Sequence, residues 1–127
     1  MALRIFTLIC GFLIPAVMII FGNIFLNHPP GKINMAYGYR TTRSMKNQET
    51  WEFAHEYCGL IWKKLGIIIA VITGVASLAG FFLKDGETGT LSIILIHLQV
   101  VVLLGSIYPV EKALKKIFDE NGNRREK

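Results

Sequence analysis

Three long runs without a charged side chain constrain this chain more than any other feature. They cover residues 5–22, 65–83 and 91–108, and none contains Asp, Glu, Lys or Arg. A helix rises ~1.5 Å per residue, so each run is long enough to cross a hydrocarbon layer of ~30 Å. The remainder of the 127 residues is too short and too divided for a separate soluble core, which excludes a soluble enzyme.

The runs predict an all-α integral membrane protein of one domain, residues 1–127. We expect three spanning helices at about residues 3–26, 65–83 and 90–108. A loop with an amphipathic interfacial helix occupies residues 28–64, and a basic tail occupies residues 109–127. The sequence His-Pro-Pro-Gly at 28–31 ends the first helix, because proline cannot continue it.

The basic residues predict the orientation. Of fourteen Lys and Arg residues, six lie between the first two runs and six follow the third. By the positive-inside rule, the 28–64 loop and the C-terminus are cytoplasmic and the N-terminus is outside, as in a multi-pass protein of the cytoplasmic membrane. The formal net charge of +5 therefore indicates attraction to an anionic lipid bilayer and not nucleic-acid binding.

Short patterns predict how the helices begin and pack. Asn47 is the predicted N-cap of the interfacial helix at about 48–63, with Glu49 in its first turn. The apolar face of this helix predicts that it lies along the membrane surface before it enters the second span. Gly66, Ala70 and Gly74 recur at four-residue steps, a spacing that lets two membrane helices approach closely. The end of the tail, residues 119–127, is nearly all charged or Asn and is predicted to be disordered.

The third run carries polar residues on two faces. Gln99 shares one face with Ser92 and Ser106, and His97 projects nearly opposite to it. His97 has two possible roles, in a proton relay or in an interhelical hydrogen bond, and we favour the hydrogen bond. The partners considered for it are Thr7, Thr73 and Ser77.

Motifs for cofactor or metal chemistry are absent from the sequence. The only close His and Cys pair is His55 with Cys58, and two ligands do not make a zinc site. Cys10 lies inside a spanning run and Cys58 near the opposite, cytoplasmic side, so they predict no disulfide. No nucleophile or phosphate-loop motif occurs, so we predict no catalytic residues, no metal and no cofactor.

The segment at 34–51 is the one part of the sequence that indicates a binding site. It places guanidinium groups, aromatic rings and a glycine between two helices. Arginine can bind carboxylate or phosphate bidentately, and glycine permits a turn closed to other residues. A binding element and a plug that caps the bundle explain this segment equally well. The candidate ligand-binding residues are Asn34, Tyr37, Gly38, Tyr39, Arg40, Thr41, Arg43, Trp51 and His55.

The string Asn-x-x-Tyr-Gly-Tyr-Arg-Thr at 34–41 resembles the SdpI family of bacterial membrane proteins. The resemblance extends to Ser44, Asn47 and Trp51, and to the residues His55, Gly59 and Trp62. It implies a small multi-pass protein with this loop in the cytosol. For the founding member, which has additional spanning helices, it also implies protection against a toxic peptide and sequestration of a transcriptional regulator.

The leading functional hypothesis is therefore a non-enzymatic immunity-type protein that acts against an antimicrobial peptide, and we expect a homo-oligomer. An alternative is a small intramembrane enzyme or lipid-handling protein in which Arg40 and Arg43 bind a headgroup and His55 or Glu52 moves a proton. A third is a proton-coupled transporter that uses His97 and Gln99.

Overall fold

The computed structural model describes residues 2–34, 36 and 38–125, and this part of the chain is helical with no β-strand. Its helices are α1 (Ala2–Asn27), α2 (Gln48–Gly80), α3 (Asp85–Gly105) and α4 (Ile107–Ile117). Helices α1 and α2, and the continuous stretch of α3 with α4, are each long and apolar enough to cross a membrane. The predicted all-α class with three helices of spanning length is confirmed.

Helices α1 and α2 are antiparallel and pack through small residues. Gly22 on α1 lies against Gly59 on α2, and Gly66 on α2 lies against the backbone carbonyl of Pro15. A methyl group added at Gly66 would come within 3.1 Å of that carbonyl oxygen. Of the predicted small-residue face of the second span, Gly66 meets α1 at close range, where dispersion holds membrane helices together, whereas Gly74 has more room.

The predicted interfacial helix and second span form one helix of 33 residues. Asn47 caps its N-terminus as expected, with its side chain accepting from the Thr50 backbone N–H and Glu49 in the first turn. The reciprocal bond comes from the Asn47 N–H to the Thr50 hydroxyl. Residues 48–63 thus belong to the same uninterrupted helix as the span, and their placement along a membrane surface stays a prediction.

The connection between α2 and α3 is shorter than predicted. We expected the spans to be 65–83 and 90–108, but α2 ends at Gly80 and α3 begins at Asp85. Residues 85–89, which lie between those two predicted spans, belong to the start of α3, where the Glu87 carboxylate accepts from the Lys84 N–H at 3.2 Å. We call this end of the bundle, with residues 81–84, the turn end, and the opposite end, with residues 28–47 and α4, the loop end.

Arg4 joins all three spanning helices at the turn end. Its guanidinium donates to the carbonyls of Gly80 and Leu83, both at 2.9 Å. It also forms an ion pair with Asp85 at 2.9 Å. Gly80 is the last residue of α2, and Leu83 lies in the turn that follows it. The arginine thus fixes the first turn of α1 to the turn between α2 and α3.

The predicted disorder of the tail is wrong for residues 119–125, which fold back on the loop end. Phe118 and Arg124 form an isolated antiparallel bridge, and the Asn47 side chain donates to the Gly122 carbonyl at 2.7 Å. Arg124 also pairs with Glu49 at 3.3 Å. The turn closes because Gly122 has a positive φ of 86°, a conformation that glycine adopts without strain.

Candidate functional site

The loop between α1 and α2 packs onto the first three turns of α2. Trp51 and His55 are fully buried at one-turn spacing on α2, and their rings lie 4.3 Å apart. The indole N–H of Trp51 donates to the carbonyl of Pro30 at 2.9 Å. The ring of His55 meets the Phe25 ring edge-on. These rings attach the loop to the two long helices, so both candidate residues have an internal position.

Both ring nitrogens of His55 are hydrogen-bonded to backbone groups. The Tyr39 N–H donates to Nε2 at 2.8 Å, and Nδ1 lies 2.8 Å from the Trp51 carbonyl oxygen. A backbone amide can only donate and a carbonyl can only accept. Nε2 must therefore carry the lone pair and Nδ1 the proton, so this geometry requires a neutral imidazole with one tautomer.

Gly38 lies directly against this imidazole. Its φ is +115°, a region that side chains with a Cβ rarely adopt. A Cβ at this position would lie 2.5 Å from His55 Nε2 and 3.2 Å from the Trp51 ring. Glycine is therefore required at this position for two reasons. Its backbone conformation is one that other residues rarely adopt, and His55 occupies the space that a side chain would need.

The next turn of the loop is closed by hydroxyl groups. The Ser44 hydroxyl donates to the Tyr39 carbonyl at 3.0 Å and accepts from the Thr41 N–H at 2.9 Å. The Thr41 hydroxyl accepts in return from the Ser44 N–H at 3.2 Å. Thr50 on α2 donates to the Ser44 carbonyl at 3.0 Å. This part of the motif is a closed hydrogen-bonded turn that is fixed to α2.

Tyr39 also connects the loop to α4. Its hydroxyl donates to Glu111 Oε1 at 2.7 Å, and the other oxygen of this carboxylate lies 3.9 Å from Arg43 Nε. Burial, followed by the bond to Glu111 and the negative charge of this carboxylate, raises the pKa of Tyr39 above its ordinary value. The phenol is therefore a neutral donor that holds the loop to the helix after the third span.

Asn34 and Arg40 form the outer edge of the loop. The Asn34 side chain accepts from the Ala36 N–H at 3.0 Å and donates to the Lys32 carbonyl at 3.1 Å. Arg40 Nε donates to the Asn34 backbone carbonyl at 3.0 Å. Arg40 is exposed, whereas Tyr37, the remaining candidate, lies outside the described residues.

Eight of the nine candidate residues are thus described, and they form one connected structure at the loop end. Sequence reasoning missed the side chains that connect it to other parts of the chain, Thr50 and Glu111 above all. No sequence pattern pointed to Glu111, because its contact with Tyr39 joins residues that are 72 positions apart. In the described part of the chain, no three His, Cys, Asp or Glu side chains come together as metal ligands.

The polar residues of the third span have other roles than expected. His97 is exposed, and its Nδ1 bonds the carbonyl of Ile93 in its own helix at 2.8 Å. The interhelical hydrogen bond predicted for His97 is therefore wrong. Gln99 makes it instead, because its Nε2 donates to the Gly11 carbonyl at 2.8 Å and to the Thr73 hydroxyl at 2.9 Å. Gln99 faces the three-helix interface and His97 faces away; the spacing predicted that the two lie on opposite faces, but not which face is the interior.

The fold and this loop define a small helical protein whose three apolar helices point to a membrane location. The family model of the SdpI/YfhL protein family matches residues 31–109. The chain is also similar to "Uncharacterized protein YfhL" of Bacillus subtilis (strain 168), with 32% identity over 109 residues that cover 86% of this chain and 89% of that protein. No solved structure matches. The chain belongs to the SdpI/YfhL family, which confirms the resemblance noted above.

Proposed function

We propose that this protein is an immunity-type protein of the bacterial cytoplasmic membrane, which protects its cell against a membrane-active peptide. Family membership is the observation that carries this proposal, together with three helices of spanning length. In its described residues, 34, 36 and 38–41, the motif is folded and internally hydrogen-bonded. Such an element can present a fixed surface to a partner at low entropic cost.

Within this proposal the motif residues have two roles. Gly38, Trp51 and His55 support the loop from inside, since each is packed against the others. Arg40 is on the exposed edge, where a ligand can reach it. Its guanidinium suits a carboxylate or a phosphate. We assign contact with the ligand to this edge and support to the buried rings.

The geometry supports the alternative hypothesis, an intramembrane enzyme, less well than the immunity function. That hypothesis needs a ring nitrogen of His55 for proton transfer, and both nitrogens are occupied by backbone partners. Glu52, the other group it named, is exposed and accepts from the Gln48 amide at 3.2 Å. For His55, these backbone bonds leave no ring nitrogen for the proton transfer that acid and base catalysis requires.

A killing assay tests the protective function. Cells that carry the gene, and cells with the empty vector, are exposed to peptides secreted by a panel of neighbouring strains. We expect the gene to raise the lethal dose of at least one peptide, and Arg40→Ala to lower that protection. Arg125→Ala, which removes an exposed arginine of the tail, is the matched control. Equal sensitivity with gene and vector across the panel would remove the proposal.

Orientation and assembly are part of the same proposal. We propose that the loop end is cytoplasmic and the turn end outside, which the charge distribution supports, and that the protein is a homo-oligomer. Labelling of Arg40→Cys with a membrane-impermeant maleimide on intact cells tests the orientation. Reaction at position 40 without lysis would place the loop on the outer face. Cross-linking in native membranes, followed by mass determination of the products, tests the oligomer.

A further inference from the structure

Helix α3 is the least enclosed of the three spanning helices. Gln99 is the only buried residue among its 21 residues, whereas α1 has five buried residues and α2 has ten. The side of α3 that meets the bundle is marked by the bonds from Gln99 to Gly11 and Thr73. The opposite side is left uncovered by the described part of the chain.

This uncovered side carries a line of residues at alternating steps of four and three positions. Residues at these steps form one narrow stripe along a helix, the stripe through which two helices pair side by side. All six residues of the line are exposed, and Ile94, Val101 and Leu104 are each more than half exposed. We call the line the outer seam. Its residues are Thr90, Ile94, His97, Val101, Leu104 and Tyr108.

The outer seam also collects the exposed polar side chains of this span. Between residues 89 and 108 they are Thr90, His97 and Tyr108. His97 follows Asp85 by 12 residues and precedes Ser106 by nine, which is ~18 Å and ~14 Å along the helix axis and places it near mid-membrane. A polar side chain at this depth is costly unless it pairs with another polar group. The seam therefore requires a polar partner.

His97 shows what that partner must supply. Its Nδ1 lies 2.8 Å from the carbonyl oxygen of Ile93, so Nδ1 carries a proton and a neutral ring presents a lone pair at Nε2. In the described part of the chain, this Nε2 has no hydrogen-bond partner. A second imidazole at the same depth provides the missing donor when its own proton resides on Nε2.

From these observations we infer that a second copy of this chain covers the outer seam, in a parallel dimer with its two-fold axis along the membrane normal. Copies inserted in one orientation place each seam residue at the depth of its counterpart, so His97 meets His97 and Thr90 meets Thr90. Any other partner would need its own polar groups at the same three depths. The inference rests on the membrane location and homo-oligomer of the proposed function, and it names the face through which the copies pair.

Disulfide cross-linking in native membranes tests this face. Val101→Cys places a thiol on the outer seam, and Val71→Cys is the matched control on α2, since the two side chains are 65% and 61% exposed. Their depths also match, because each lies two residues toward the loop end from a member of the hydrogen-bonded pair Gln99 and Thr73. Both variants carry Cys10→Ala, which removes the native cysteine that is not buried.

The two cysteine variants should differ sharply. We expect oxidation with copper phenanthroline to convert Val101→Cys, and not Val71→Cys, into a covalent dimer. Equal conversion of both variants would indicate random collision in the membrane. Equal conversion, or no dimer from Val101→Cys, would overturn the inference.

Substitution of His97 tests the polar pair. The monomer–dimer equilibrium of fluorescently labelled protein is measured by energy transfer in lipid vesicles. We expect His97→Leu to weaken the dimer about threefold, the equivalent of one interhelical hydrogen bond in a membrane. His97→Asn should retain the dimer, because an amide both donates and accepts. Equal dimerisation of the wild type and His97→Leu would overturn the inference.

These results are read separately from the tests of the proposed function. If chemical cross-linking shows wild-type oligomers while Val101→Cys forms no disulfide dimer, the homo-oligomer stands and this face is rejected. If the wild type is only monomeric in native membranes, the homo-oligomer and this inference fail together. Failure of the protective function appears in the killing assay, as wild-type cells without protection, whatever the state of assembly.

Discussion

Gly22 and Gly59 bring the backbones of α1 and α2 into direct contact. A Cβ built at Gly59 would lie 2.9 Å from the Gly22 carbonyl oxygen, and one built at Gly22 would lie 2.7 Å from the backbone nitrogen of Lys63. Both neighbours are backbone atoms, which cannot rotate away as a flexible side chain does. The contact therefore sets the spacing of α1 and α2 at this point.

Gly59→Ala should destabilise the protein by separating these helices. Overpacking of a close contact costs about 1–3 kcal/mol, which exceeds the gain of up to about 1 kcal/mol from replacing glycine by alanine in a helix. The measurement is the midpoint of thermal unfolding in detergent. Gly74→Ala is the control on the same helix, because the nearest atom to its Cβ is 4.0 Å away. A higher midpoint for both variants would contradict the contact.

Gly38→Ala should disrupt the loop at its centre. The added methyl would overlap His55 Nε2 at 2.5 Å, and the backbone would have to leave its φ of +115°. We expect a loss of at least about 2 kcal/mol, from backbone strain and the broken bond between Tyr39 and His55. Gly31→Ala is the control within the same loop, since no atom lies within 4 Å of its Cβ. Similar unfolding midpoints for the two variants would argue against this packing.

The hydrogen bonds of His55 predict its tautomer. With the Tyr39 N–H as donor to Nε2, the proton must reside on Nδ1. Nitrogen-15 chemical shifts of the imidazole in selectively labelled protein distinguish the two tautomers. We expect an unprotonated Nε2 and a protonated Nδ1 at neutral pH. The variant His55→Ala assigns the signals. A protonated Nε2 would mean that the Tyr39 amide does not donate to it.

Asn47 predicts how the tail is held. Asn47→Asp keeps an oxygen that caps α2 but loses the amide that donates to the Gly122 carbonyl, whereas Asn47→Ala loses both. We expect faster tryptic cleavage after Arg124 in both variants. Only the alanine variant should also lose about 1 kcal/mol of stability from the missing cap. Equal cleavage rates in the wild type and Asn47→Asp would show that this bond does not retain the tail.

Local chemistry allowed much of this fold to be predicted, and long-range contacts account for what was missed. Uncharged runs predicted three spanning helices because lipid imposes length and apolarity, and Asn47 was recognised as a cap because capping acts within one turn. The folded tail was missed because its composition is typical of disorder, while its order depends on contacts with Asn47 and Glu49, more than 70 positions away. His97 and Gln99 were placed on opposite faces correctly, but periodicity alone did not show which face was the interior.

Tyr39 predicts a dependence of stability on alkaline pH. Burial, with the bond to Glu111 and its charge, raises the pKa of this phenol above the ordinary value of 10.0. In the unfolded chain the phenol ionises near pH 10, whereas in the folded protein it keeps its proton. The folded state then binds more protons, so this contribution to stability is complete below about pH 10 and falls as the pH rises above it.

Tyr39→Phe removes this titration together with the hydrogen bond to Glu111. We expect the variant to be about 1.5–3 kcal/mol less stable at neutral pH, the range for a hydrogen bond to a charged group. The difference from wild type should shrink between about pH 10 and 11, because only the wild type loses this contribution. The measurement is the free energy of unfolding at a series of pH values.

Tyr108→Phe is the control, since Tyr108 is 70% exposed, and its curve should run parallel to that of the wild type. A difference between Tyr39→Phe and wild type that stays constant to pH 11 would show that the buried phenol is not held neutral by its contacts.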